Sequence, residues 1–251
     1  MNNKITILTT THCIASAHRI QKSYSGDHDR YNSSTNLIEN TINTLYKSHP
    51  QFSDCRHIIS LDHNKSFNLS NEYLDNLRTL ENKYKNINLI VTEKGIYDSI
   101  KNLINSVDTN YYLWFEHDWE FNKTVNFESI INLFDKYTHI NYLRFNKRNN
   151  IPVNIDRLIK DSEHIKDFDL CVTDGWSNNP YFGRSLFFKN VLKQLDELKN
   201  VNCTIELDVQ KLYRDDINKF GINKAEEMWG IYIYGKPGYE QVVNHTNGKK
   251  L

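Results

Sequence analysis

Residues Tyr111–Phe115 read Tyr-Tyr-Leu-Trp-Phe, five apolar or aromatic residues in a row, and run straight into Glu116-His117-Asp118-Trp119. A strand without polar alternation is buried on both faces, which is the situation of a parallel sheet covered by helices on its two sides. In such open α/β sheets ligands bind at the carboxyl ends of the strands. Two carboxylates at i and i+2 after this strand therefore stand where chemistry is expected.

The surrounding pattern agrees. Apolar runs at Lys4–Thr10, His57–Leu61, Ile87–Val91 and Ile140–Phe145 predict strands. Between them, 3.6-residue periodicity predicts helices. One starts near Asn36, with Glu39 three residues on as a capping-box-like pair, and carries Leu37, Ile38, Ile42, Leu45 and Tyr46; Pro50 stands just beyond its end. A second starts at Ser70 with Tyr73, Leu74, Leu77 and Leu80. A third follows Gly95 with Ile96, Ile100, Leu103, Ile104 and Val107. A fourth carries Phe127, Ile130, Ile131 and Phe134. Repeated βα units imply a mostly parallel central sheet with helices on both faces. Residues 15–34 form a polar stretch longer than the usual ~2–6 residues of a βα loop, which marks a candidate functional loop. After Arg148 the pattern loosens. Asp161–Asp169 and Asp174–Ser185 read as loops, helices follow around Leu186–Leu195 and from Glu206, and Trp229–Tyr234 reads as a closing strand. The expectation is one α/β domain over 1–251, with a nucleotide-sugar-binding part in 1–148 and an acceptor-side part in 149–251.

A chain of 251 residues is long enough to build its core without a disulfide or metal staple. Lysine plus arginine and aspartate plus glutamate number 31 each, which argues against nonspecific nucleic-acid binding. Cys13, Cys55, Cys171 and Cys203 form no CxxC pair, so zinc-ribbon and thioredoxin patterns are excluded. Scattered cysteines fit a reduced compartment. No stretch approaches the ~20 apolar residues of a transmembrane helix, and the N-terminal apolar run is too short for a signal peptide. The expected location is the cytoplasm of a bacterium or of an infected host cell, because richness in Asn, Ile, Lys and Tyr suggests an AT-rich genome. P-loop, GxGxxG, GxSxG and HExxH motifs are absent, which disfavours kinases, dehydrogenases, α/β-hydrolases and zinc proteases.

Each candidate residue has a bland reading beside the functional one. Glu116 and Asp118 suit a hard divalent cation, which takes one or two carboxylates plus substrate phosphates; otherwise they are a polar strand end. Asp62, at another strand end, can accept hydrogen bonds from a ribose or base, or is a turn aspartate. Thr9, Thr10 and Thr11 can contact a nucleotide, or are simply good strand formers. Glu206 and Asp208 can act as general base toward an acceptor hydroxyl, or complement a helix dipole. Asp174 is a rival base. Trp176, Asn178 and Asn179 resemble a sugar-binding loop, or a lid packing on the core. His245 can complete a metal site, or is exposed.

Three groups of segments, in order, resemble the GT-A-fold glycosyltransferases, closest to a small viral and bacterial group. They are KITILTTTH with CRHIISLDHN; YYLWFEHDWEF; and GWSNNPYFGRS, followed by TIELDVQ and GIYIYGKPG…VNHTNGK. The resemblance spans nearly the whole chain. It implies a GT-A-type domain acting as a hexosyl- or deoxyhexosyltransferase. The donor is expected to be a UDP- or GDP-sugar, the acceptor a glycan or sugar, and the cofactor Mn²⁺ or Mg²⁺. It further implies that Thr9, Thr11, Asp62, Glu116 and His117 hold the donor, that Asp118 and His245 meet the metal, and that Glu206 is the base of an inverting transfer. Glu116 stands where the DxD pattern has an aspartate. The 15–34 loop is longer than the family pattern and suits a lid that orders over donor. A non-catalytic nucleotide- or sugar-binding module and a nucleotidyltransferase are the alternatives.

Overall fold

In a computed structural model the described residues are 3–13, 33–154, 156–198 and 205–246. The 15–34 stretch lies outside them except for its last two residues, as do Cys203, Lys249 and Lys250. The chain folds as two compact units. The first comprises Met1–Thr109, Phe115–Phe121 and His245–Leu251; the second comprises Asn110–Trp114 and Asn122–Asn244. The expected boundary near residue 148 falls inside the second unit.

The first unit is a parallel sheet of three βα repeats. Its strands are β1 (Ile5–His12), β2 (Arg56–Asp62) and β3 (Ile87–Thr92), in the order β3-β2-β1. Three helices cover it: α1 (Asn36–Ser48), α2 (Asn68–Lys83) and α3 (Ile96–Asn105). Alternation along β2 decides which helix lies where. Ile59 and Leu61 point to one face and pack with Ile38 and Ile42 of α1 and with Tyr73, Leu77 and Leu80 of α2. Ser60 points to the other face, where its hydroxyl lies 2.6 Å from that of Ser99 on α3. Helices on both faces are thus present, as the apolar periodicity predicts. Helix α2 begins two residues before Ser70, whose hydroxyl instead accepts from the Asn64 amide at 3.1 Å and fixes the turn ahead of the helix.

The second unit holds β4 (Tyr111–Trp114), β6 (Tyr142–Arg144), β7 (Ile159–Asp161), β8 (Leu170–Thr173), β9 (Tyr181–Arg184) and β10 (Ile231–Tyr234), in the order β4-β9-β6-β10-β8-β7. Here only β6 and β10 run parallel; the other pairs are antiparallel. Strand β5 (Trp119–Phe121) belongs to the first unit. Helices α4 (Phe127–Lys136), α5 (Ser185–Glu197), α6 (Ile205–Phe220) and α7 (Ile222–Trp229) complete the second unit. Asn126 caps α4 by accepting from the Ser129 amide at 3.0 Å. The segment Asp174–Ser185 contains a strand, Tyr181–Arg184, which pairs on both sides, with β4 and β6; Ile159–Asp161, in the stretch after Arg148 where the pattern loosens, pairs with β8. The closing strand starts after Trp229, because Gly230 adopts φ 56° and ends α7 in a left-handed turn. A Cβ there would lie 1.8 Å from the His139 carbonyl oxygen, so only glycine fits. The described cysteines Cys13, Cys55 and Cys171 are buried thiols. No helix among the described residues is long and apolar enough to cross a membrane.

Candidate active site

Register brings the carboxyl ends of the first unit's strands level. His12 on β1 stands beside Asp62 on β2, and Asp62 beside Thr92 on β3. The half-buried Asp62 carboxylate accepts from the Gly95 amide, at the start of α3. Burial raises its pKa above the ordinary carboxylate value, while the Gly95 hydrogen bond and His63 pull it back down.

The segment after Tyr111–Trp114 joins this edge through Phe115, whose amide donates to the Leu8 carbonyl at 2.9 Å. Thr9 secures the junction. Its hydroxyl donates its only proton to the Phe115 carbonyl at 2.6 Å, so it accepts from Nε2–H of His57 at 2.9 Å. Nδ1 of His57 then accepts from the Tyr46 hydroxyl at 3.0 Å, which itself accepts from Asn86 at 2.7 Å. This relay fixes one neutral tautomer of a buried imidazole, and burial lowers the His57 pKa to about 3. The Thr11 hydroxyl is likewise occupied inside the core, 2.6 Å from that of Tyr73. The side chains of Thr9 and Thr11 therefore hold the fold together, and their hydroxyls are committed to protein partners.

The three residues after Phe115 diverge. Glu116 is half-buried, with the Thr10 hydroxyl 3.5 Å from its carboxylate. Nδ1 of the buried His117 lies 3.0 Å from the Thr10 carbonyl, an acceptor, so Nδ1 carries the proton. Its ring meets that of His12 edge-on, 5.4 Å between centroids. The His117 carbonyl accepts from Thr41 of α1 at 2.7 Å. Asp118 is 2% exposed. Its Oδ2 lies 2.7 Å from Nε2 of His245, and its carbonyl accepts from the Thr246 amide at 2.9 Å and the Thr246 hydroxyl at 3.1 Å. The His245 ring also packs on Trp119, 4.6 Å between centroids. Residues 127 apart in sequence are thus paired by the return of the chain into the first unit. One carboxylate oxygen and one imidazole nitrogen fit as two ligands of a divalent cation of the Mn²⁺ kind. No group of three or more His, Cys, Asp or Glu suited to a metal exists among the described residues.

In the second unit the loop carrying Asp174, Trp176, Asn178 and Asn179 is clamped by one face of α6. Glu206, Gln210 and Arg214 recur every four residues and so line up along the helix. Oε1 of Glu206 accepts from the Asn178 amide at 3.2 Å, Gln210 bonds the Trp176 amide and the Asp174 carbonyl, and Arg214 reaches that same carbonyl. Asp174 also accepts from the Leu158 amide and faces Arg157 and Arg214 at 3.5 and 3.6 Å. Asp208 is 5% exposed, while Glu206 is half-buried. Trp176 is 1% exposed and stacks on Phe188 at 5.7 Å, beside Tyr142 and Tyr181. It packs the core there rather than offering an open ring face, and Asp174, Asn178 and Asn179 are the partly exposed members of the loop.

Sequence reasoning passed over a basic group beside this loop. Arg144 is 3% exposed and donates to Asp156 at 2.5 Å; Arg148 reaches the other Asp156 oxygen at 3.2 Å, and Thr173 donates to the first at 2.9 Å. Burial alone would raise the Asp156 pKa, but the charge and hydrogen bonds of Arg144, with Thr173 and Arg148, hold it below the ordinary value. The available signal was Arg144-x-x-Lys147-Arg148, basic residues leaving a strand end.

No protein-family model and no curated protein matches this sequence. Solved structures do. A fragment of Staphylococcus aureus TarS in complex with UDP matches with TM-score 0.54 and 11% identity, over 96% of this chain and 60% of that one. The mannosyltransferase PcManGT from Pyrobaculum calidifontis, in complex with GDP-Man and Mn²⁺, matches with TM-score 0.53 and 7% identity, over 93% of this chain and 57% of that one. A cytidylyltransferase from Leptospira borgpetersenii matches with TM-score 0.51 and 9% identity, over 95% of this chain and 77% of that one. The chain thus spans about 60% of the TarS fragment's length. These likenesses show the fold, an α/β fold of the GT-A-like kind.

Proposed function

We propose that this chain transfers a sugar from a UDP- or GDP-sugar to a hydroxyl of a glycan or sugar acceptor, with inversion. The observation that carries the reading is the Asp118–His245 pair at the sheet's carboxyl edge. It occurs in a fold like those of one protein solved with UDP and another with GDP-Man and Mn²⁺. Mn²⁺ or Mg²⁺ held by Asp118 and His245 would offset charge on the donor diphosphate. Asp62, at the end of β2, accepts hydrogen bonds from the nucleoside, and Glu116 and His117, which follow Phe115, contact the donor as well.

Glu206 is the base. It is less buried than Asp208, and Asp174 is engaged by two arginines and the Leu158 amide. The Asn178 amide holds one Glu206 oxygen, and the other receives the acceptor's proton. The acceptor oxygen attacks the anomeric carbon, the bond from that carbon to the diphosphate breaks, and nucleoside diphosphate departs. A single displacement of this kind inverts the anomeric centre.

Glu206→Gln separates base from clamp, because the amide oxygen still accepts from Asn178 while the group no longer takes a proton. Transfer and donor hydrolysis across a UDP- and GDP-sugar panel should fall by roughly 10²–10⁴-fold, with nucleotide affinity unchanged. Full activity in this variant would move the role to Asp208 or Asp174. The nucleotidyltransferase reading is favoured by one observation, the cytidylyltransferase likeness. Release of pyrophosphate from a nucleoside triphosphate would decide for it.

A further inference from the structure

The second unit contains a cleft of about 440 Å³, open to solvent, between residues 166–169 and the turn that follows β10. Its volume falls within the ~300–1,000 Å³ of sites for small molecules. Three aromatic rings line it. Phe168 and Tyr239 each meet Tyr234 edge-on, with centroids 6.2 and 5.8 Å away, and all three rings are partly exposed. The turn is fixed from within the protein. The Asn150 side chain donates to the carbonyls of Tyr234, Gly235 and Lys236, the Asn150 carbonyl accepts from the Gly238 amide, and the Gly235 amide donates to the Asp169 carbonyl at 2.9 Å.

The polar groups of the cleft are left for a ligand. Tyr73, Tyr142, Tyr213 and Tyr232 all spend their hydroxyls on protein partners. Among the described residues the hydroxyls of Tyr234 and Tyr239 make no hydrogen bond, and the Asp169 carboxylate makes neither a hydrogen bond nor an ion pair. Asp169 stands close to the Tyr234 phenol: burial first, and then the charges of Tyr239 and Asp169, raise the Tyr234 pKa. Asp167 is instead held by Lys136 and by the Tyr137 hydroxyl, and Lys166 donates to the Ser162 carbonyl at 2.8 Å. What remains is one carboxylate among phenols, a setting that disfavours an anionic ligand.

We infer that this cleft is a carbohydrate subsite, taking a neutral sugar residue of the acceptor glycan other than the one that reacts. A pyranose presents C–H groups on its faces and hydroxyls around its edge. The aromatic rings match the first, Asp169 accepts from the second, and phenol hydroxyls both donate and accept. Neither Glu206 nor any residue of the loop it grips lines the cleft, so the sugar held there is not the one whose hydroxyl is deprotonated. The acceptor is then an oligosaccharide or a longer glycan. Calling that glycan an acceptor rests on the transferase reading; the binding of sugar in the cleft does not.

Capture of the full chain on an array of neutral oligosaccharides tests this. The best-held oligosaccharide is then titrated calorimetrically, with UDP and GDP plus Mn²⁺ titrated into the same preparations. At least one neutral oligosaccharide should be held. Phe168→Ala and Asp169→Ala should each weaken its binding by roughly tenfold or more, equivalent to ~1.4 kcal/mol, with nucleotide binding and the thermal unfolding midpoint as in wild type. Asp169 is exposed and carries no side-chain hydrogen bond among the described residues, so its variant decides the matter if Phe168→Ala fails to fold. Capture of no neutral oligosaccharide, or binding untouched by Asp169→Ala, overturns the subsite and leaves the transferase reading standing. Displacement of the oligosaccharide by UDP or GDP also overturns it, because the cleft would then take donor. Absence of nucleotide binding in a wild type that holds an oligosaccharide through Phe168 and Asp169 counts against the transferase reading instead.

Discussion

Single residues here do two different kinds of work, and the distinction is testable. Thr9 spends its proton on Phe115 and accepts from His57, so Thr9→Val leaves a buried carbonyl and a buried imidazole N–H without their partner. Urea denaturation should show a loss of roughly 1–3 kcal/mol. His57 and His49 are buried neutral, with pKa values lowered by burial to about 3 and about 4. The unfolded chain titrates these groups near ~6.5. Between that value and the folded values the unfolded state binds more protons, so stability is fully present above pH ~6.5 and falls as pH drops below it, by up to ~1.4 kcal/mol per pH unit for each histidine. Denaturation midpoints measured from neutral to mildly acidic pH should decline, and His57→Gln should flatten the slope. An unchanged slope would contradict a neutral buried His57. Asp156 shifts in the same direction, against burial and through its ion pairs and hydrogen bonds. Its lowered pKa means that stability from the Arg144 pair is present above the ordinary aspartate value and is lost as pH falls through the folded value. Asp156→Ala strands a buried guanidinium and should cost about 3–5 kcal/mol. None of these roles was legible in sequence. Thr9 and Thr11 read as strand formers or as nucleotide contacts, and the partners of their hydroxyls become visible only in three dimensions.

Elements with strong periodicity were legible, and short ones were not. Strands β1 to β3 and helices α1, α3 and α4 lie close to where alternation and 3.6-residue spacing place them. Strand β9, Tyr-Phe-Gly-Arg, sits between asparagine, proline and a helix start, and its glycine reads as a turn signal. Packing supplies the reason for that glycine. A Cβ on Gly183 would lie 2.8 Å from the Tyr112 ring on the paired strand β4. Gly183→Ala should therefore destabilise by about 1–3 kcal/mol, the range for overpacking a well-filled core, as read by thermal unfolding. The α6 clamp was half legible. Glu206 stood out as an acidic residue in a first helical turn, but its partnership with Gln210 and Arg214 needed the loop they grip. Asp118 follows a strand that was legible, because five apolar or aromatic residues in a row read as buried on both faces, and β4 is buried throughout. Its pairing with His245 was implied by resemblance and became visible only through the fold.

At the scale of the whole molecule, the GT-A-like fold places Asp62, Glu116, His117, Asp118 and His245 in the first unit and Glu206 with the aromatic cleft in the second. In the proposed function Asp118 and His245 bind the donor's diphosphate end through a divalent cation. Calorimetric titration of UDP and GDP into the full chain, with and without Mn²⁺, tests it most directly when wild type is compared with Asp118→Asn and His245→Gln. One of the nucleotides should bind tightly only with Mn²⁺. Asp118→Asn should weaken that binding by at least the roughly 10–100-fold that outer-shell partners of a metal contribute, and His245→Gln should weaken it less, because its ring is the more exposed of the pair. Nucleotide binding that ignores both Mn²⁺ and Asp118→Asn would contradict the claim.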